Sequence, residues 1–104
     1  MERNYSKEFY CNLLPSELQK RKQTILASLK DKLVEKRELV NGYSYRFPGS
    51  DEMLDELLEF VKTERKCCEF FSFKILLDPE TKSSLLEITG NSGIKEFINT
   101  ELEI

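Results

Sequence analysis

A chain of 104 residues, 39% hydrophobic and 34% charged with a mean hydropathy of −0.48, has the length of one domain and can fold on its own core. It contains no histidine and no tryptophan, which excludes Ser-His and Cys-His catalysis, zinc fingers built on histidine and every other His-ligated iron or zinc site. A net charge of −3 gives no global pull toward nucleic acid, and no apolar run approaches the ~20 residues of a membrane span. Met1–Tyr10 is too polar for a signal peptide, so the expectation is one cytoplasmic domain over 1–104, with 1–10 as a poorly ordered N-terminal segment.

The periodicity predicts a first helix from about Pro15 to Leu33, with Leu18, Ile25, Leu26, Leu29 and Leu33 as its apolar stripe and Glu17 paired to Arg21 on its surface. A hairpin follows, Val34–Leu39 and Tyr43–Phe47 around Val40-Asn41-Gly42. Of two registers, the one with a three-residue loop and Gly42 in a left-handed bulge is preferred, because it sets Leu39 on the face of Tyr43, Tyr45 and Phe47. The alternative two-residue turn sets Val40, Glu38 and Lys36 beside Tyr43, Tyr45 and Phe47 instead. Ser50 caps a second helix, from Asp51 to Cys67 or Cys68, with Leu54, Leu57, Leu58 and Val61 as its inward stripe. Phe71, Phe73, Ile75 and Leu77 alternate as a strand, Asp78-Pro79-Glu80-Thr81 turns, and Ser84–Thr89 returns. A last helix from about Gly93, capped by Ser92, carries Ile94, Phe97, Ile98 and Leu102. The αββ unit therefore occurs twice, which predicts an α+β fold: tandem αββ units forming a four-stranded, mainly antiparallel sheet with helices packed on one face, plus a C-terminal helix. The other face of the sheet is expected to be partly aromatic and polar, a place for a partner subunit.

One constellation points to chemistry: Cys67 and Cys68 with Glu64 before them and Cys11 far upstream. At ~100° per residue Cys68 falls inside the inward stripe of the second helix, with Glu64 at its edge four residues earlier, so both can face one pocket. Three thiols and a carboxylate suit a thiophilic metal or metalloid, Zn or Cu(I), held by Cys11, Cys67, Cys68 and Glu64. The competing explanation is core packing, since free cysteine is often a small buried hydrophobe. A redox or nucleophilic thiol is a third reading. Against an enzyme, Cys67 and Cys68 sit at the negative end of a helix dipole beside Glu64 and Glu69, without a histidine base. A disulfide between adjacent cysteines is not expected, nor any disulfide in a cytosolic chain.

A weaker candidate is Thr89-Gly90-Asn91-Ser92-Gly93-Ile94-Lys95, where Gly90, Ser92, Gly93 and Lys95 could hold an anion at a helix start. A plain strand-to-helix turn capped by Ser92 is the preferred explanation, and the segment lacks the Gly-Lys-Ser/Thr of a nucleotide loop. Lys20-Arg21-Lys22 reads as a solvated helix face rather than a nucleic-acid patch. Charge is divided along the chain, +4 over 1–48 and −7 over 49–104, so the halves are expected to attract each other or a second copy.

The pattern Cys11 with Leu13-Leu14-Pro15, Gly42-Tyr43 with Arg46-Phe47-Pro48, Glu64-Arg65-Lys66-Cys67-Cys68-Glu69-Phe70-Phe71, and Thr89-Gly90 before Lys95-Glu96-Phe97 resembles a group of small uncharacterised bacterial proteins. The Glu-Arg-x-Cys-Cys-x-Phe segment is the specific part, and Glu69 stands where that group is associated with proline. The resemblance covers most of the chain and draws attention to the cysteines, but implies no settled activity. The sequence thus leads to a small protein without catalysis that binds a thiophilic ion. The alternatives are a homodimeric interaction module with packed cysteines, and a thiol-based redox sensor or enzyme.

Overall fold

The structure is a computed structural model and describes residues 16–102 and 104, with Cys67 described by its backbone. The elements run α1 (Ser16–Lys32), β1 (Glu35–Leu39), β2 (Gly42–Pro48), α2 (Asp51–Cys67), β3 (Ser72–Asp78), β4 (Ser83–Thr89) and α3 (Ile94–Glu101). All strand pairs are antiparallel and the sheet order is β1-β2-β4-β3. This is the expected α+β architecture. The α2 crossover skips a strand, so β2 and β4 form the centre while β1 and β3 are the edges.

The core lies between the helices and one face of the sheet. Tyr45, Phe47, Leu86 and Ile88 from the central strands meet Met53, Leu57 and Phe60 of α2, Leu29 of α1, and Ile94 and Ile98 of α3, all buried. Phe70, Phe71, Phe73 and Phe97 add an edge-to-face aromatic cluster, with Phe70 5.1 Å from both Phe71 and Phe97. Ser50 caps α2 as predicted, its hydroxyl accepting from the Met53 N–H at 3.1 Å.

Four expectations change in detail. The hairpin takes neither expected register: its two-residue turn is Val40-Asn41, pairing Leu39 with Gly42, Glu38 with Tyr43 and Lys36 with Tyr45. Polar residues fit the aromatic face because β1 is an edge. Lys36 Nζ lies 4.3 Å from the centroid of the Tyr43 ring, and Glu38 takes an ion pair from Lys95 of α3 at 2.6 Å. Gly42 does not take a positive φ; a Cβ there would lie 1.9 Å from the Ile88 carbonyl oxygen, so glycine answers the close approach of β4 and makes no bulge. With the aromatics turned inward, the outer face of the sheet carries Glu35, Arg37, Arg46 and Glu87 with Leu39, Leu76 and Leu85; it is polar and aliphatic, not aromatic. The buried stripe of α2 is rotated to Met53, Leu57, Phe60, Glu64 and on to Cys68, while Leu58 is 44% exposed. Finally, α3 begins at Gly93 in the left-handed region (φ 91°) with no side-chain cap, so Ser92 does not cap it.

Candidate functional site

The C-terminal half of α2 carries the site. Glu64 lies in the middle of the buried stripe, not at its edge, and is 0% exposed. One turn later Cys68 closes the helix, its N–H donating to the Glu64 carbonyl at 2.6 Å, and it too is 0% exposed. Cys68 is disulfide-bonded. That corrects the expectation of no disulfide: in this state the Cys68 sulfur is part of an S–S bond and carries no thiolate for a metal or an electrophile.

The carboxylate of Glu64 is the unusual group. Neither oxygen accepts a hydrogen bond. Lys22 Nζ of α1 lies 3.2 Å from its Oε2, close enough for an ion pair but off hydrogen-bond geometry, and the same ammonium donates to Glu101 Oε2 of α3 at 3.2 Å. One residue from each helix thus meets at the end of α2, with side-chain exposures of 12% for Lys22, 0% for Glu64 and 34% for Glu101. Burial pushes the Glu64 carboxyl above its ordinary range; Lys22 opposes this and the charge of Glu101 adds to it.

Lys22 is the residue the sequence reading missed, having been assigned to a solvated basic run. Its signal is the spacing Leu18, Lys22, Ile25, Leu29, which puts a lysine within the apolar stripe of α1. Arg21 is solvated, but it reaches Glu59 of α2 rather than Glu17.

Of the proposed ion ligands, Glu64 and Cys68 share one helix face, Cys67 is the last residue of α2, and Cys11 lies outside the described residues. Among the described residues, no three His, Cys, Asp or Glu side chains gather to hold a metal ion. At the weaker candidate, Ser92, Gly93 and Lys95 line an open hollow of about 540 Å³ with Tyr43 and Asn99. Lys95 is engaged by Glu38, and the Gly90 and Ile94 N–H groups donate to the Asn41 and Asn91 carbonyls, so much of the anion-binding capacity there is already used. No family model, curated protein or solved structure matches the chain.

Proposed function

We propose that the protein binds one thiophilic metal or metalloid ion at a thiol site built on Cys68 and Glu64, which opens only when the Cys68 disulfide is reduced. The observation that carries this reading is the Glu64 carboxylate: fully buried, accepting no hydrogen bond, and one helical turn before the disulfide-bonded Cys68. Lys22 offsets only part of the cost of burying this carboxylate, and an arriving cation would offset more of it.

The chemistry balances with a dithiol as reductant. Two electrons and two protons pass to the disulfide, Cys68 and its partner cysteine become thiols, and the reductant leaves as its own disulfide. A thiophilic ion, Zn²⁺ or Cu(I), then displaces the two thiol protons to solvent as two sulfur–metal bonds form. Cys11 and Cys67 are the other cysteines of the chain. With a divalent ion, two thiolates, Glu64 and Glu101 face that ion and the Lys22 ammonium, and the net −1 falls on the part-exposed Glu101, where water screens it.

Native mass spectrometry tests this on protein purified without chelators, before and after dithiol reduction and desalting, with Zn²⁺ and Cu(I) as probes. The expected result is one ion per chain in the reduced protein and none in the oxidised protein. Binding should be lost in Cys68→Ser and weakened about tenfold in Glu64→Gln. Reduced protein that takes up neither ion overturns the reading. The disulfide itself then favours the second one, a thiol redox sensor, provided a defined thiol–disulfide midpoint is measured in glutathione buffers.

A further inference from the structure

The two edges of the sheet are built differently. β1 reads Glu-Lys-Arg-Glu-Leu and is exposed along its first four residues, the charged edge that discourages another strand from pairing. β3 reads Ser-Phe-Lys-Ile-Leu-Leu-Asp and, among the described residues, pairs with β4 on one side only. Its other side presents the alternate N–H and C=O groups of a seven-residue strand, with Leu76 42% and Leu77 61% exposed. Lys74 and Asp78 are its only charged residues.

We infer that β3 pairs antiparallel with β3 of a second copy of this chain, across a two-fold axis through Leu76, to form one continuous eight-stranded sheet. The register follows from side-chain alternation. Lys74, Leu76 and Asp78 point to the outer face, where Leu76 neighbours Leu85, while Ile75 and Leu77 point to the helix side with Leu86 and Ser84. Residues directly opposite in an antiparallel pair share a face, so only registers that match like parity survive. Centring on Leu76 sets each Lys74 against Asp78 of the other copy, each Ile75 against Leu77, and Leu76 against itself. Moving the register by one step either way sets Lys74 against Leu76 or Leu76 against Asp78. The strand is thus self-complementary in one register, as an isologous interface requires. The Asp78 carboxylate accepts from the Glu80 N–H at 3.0 Å and the Thr81 hydroxyl at 2.9 Å, which fixes it at the strand end with lone pairs left for an ammonium. This inference is independent of the Cys68 site.

Sedimentation equilibrium on the full chain tests it, using charge reversals that fail alone and succeed together. Wild type is expected as a dimer. Lys74→Glu places acid against Asp78, and Asp78→Lys places base against Lys74, so each should weaken self-association about tenfold or more. An equimolar mixture of the two has opposite charges at both ends and should recover a heterodimer. Leu76→Glu, which brings two carboxylates together on the axis and leaves the Asp78 turn untouched, should be monomeric with an unchanged far-UV circular dichroism spectrum. A monomeric wild type at hundreds of micromolar overturns the inference, as does a dimer indifferent to Lys74→Glu and Leu76→Glu. If Asp78→Lys fails to fold, those two variants decide.

Discussion

Glu64 loses its water on folding, and Lys22 restores only part of what the charge loses. Because its carboxyl is raised above the ordinary value of 4.5, the folded state holds a proton more tightly than the unfolded chain. Above the raised value both states are ionised and the fold carries the full penalty of a buried charge. As pH falls from there toward 4.5 the folded state takes up its proton first and the penalty disappears. Glu64→Gln, neutral at every pH, is therefore expected to melt higher than wild type at pH 7, with the two curves converging as pH falls to the ordinary carboxyl value of 4.5. A variant that melts lower at pH 7 would make the Lys22 attraction the larger effect. Lys22→Met removes that attraction and should cost about 3 kcal/mol in urea unfolding, since it leaves a buried charge uncompensated. Adding Glu64→Gln to it should recover most of the loss. Much of this was legible: the alternation of α2 put Cys68 in the core, and the four-residue step put Glu64 on its side. The depth of Glu64 was not, because hydrophobicity ranks Leu54, Leu58 and Val61 as the stripe. Only tertiary packing, with Phe60 and Met53 inward, rotates the helix toward Glu64.

At the scale of elements, the hairpin separates what sequence encodes from what neighbours impose. Asn41 marks the turn, but Gly42 already opens β2, and the register differs from both expected ones because β1 is an edge strand rather than a covered one. An edge strand can offer Lys36 and Glu38 to Tyr43 and to Lys95, so an apolar partner for the aromatic face was unnecessary. The role of Gly42 was equally invisible, since it depends on β4, more than forty residues away. A Cβ at Gly42 would stand 1.9 Å from Ile88 O and 2.8 Å from Thr89 Cα, both backbone atoms in the central strand pair. Gly42→Ala must push β2 off β4, and is expected to lower stability by about 2–4 kcal/mol. Asn41→Ala, at a position with negative φ, should change it by no more than about 0.5 kcal/mol. Equal, small effects at both positions in urea unfolding would return Gly42 to an ordinary turn residue.

Over the whole molecule, the repeated αββ pattern announced the architecture because each element is long and strongly periodic, whereas the order β1-β2-β4-β3 depends on which strands the α2 crossover skips, which no local pattern records. The division of charge has a visible consequence. Arg21–Glu59, Lys22–Glu64, Lys22–Glu101 and Lys32–Glu56 all tie basic α1 to the acidic second half of the chain, and Ser28 donates to Glu56 at 2.7 Å. The apolar contribution of α1 is thin by comparison: Leu29 is its only fully buried residue, while Ile25 and Leu26, and Leu33 just after the helix, are half-buried. A helix docked mainly by charge should be the first element to open, and its opening should respond to salt. The Arg21 and Lys32 pairs are exposed enough to be screened as the Debye length shrinks from about 30 Å at 0.01 M to about 3 Å at 1 M salt, whereas the buried Lys22–Glu64 pair is not. At up to about 1 kcal/mol for the screened pairs together, amide protection in Ser16–Lys32 should fall about fivefold across that range. Protection in α2 and in the central strands β2 and β4, held by Tyr45, Phe47, Leu57 and Leu86, should stay constant. Hydrogen exchange by mass spectrometry at the two salt concentrations reads the difference directly. Uniform loss over all elements would mean that α1 opens only when the whole domain unfolds, and that its apolar face, not its charge, holds it in place.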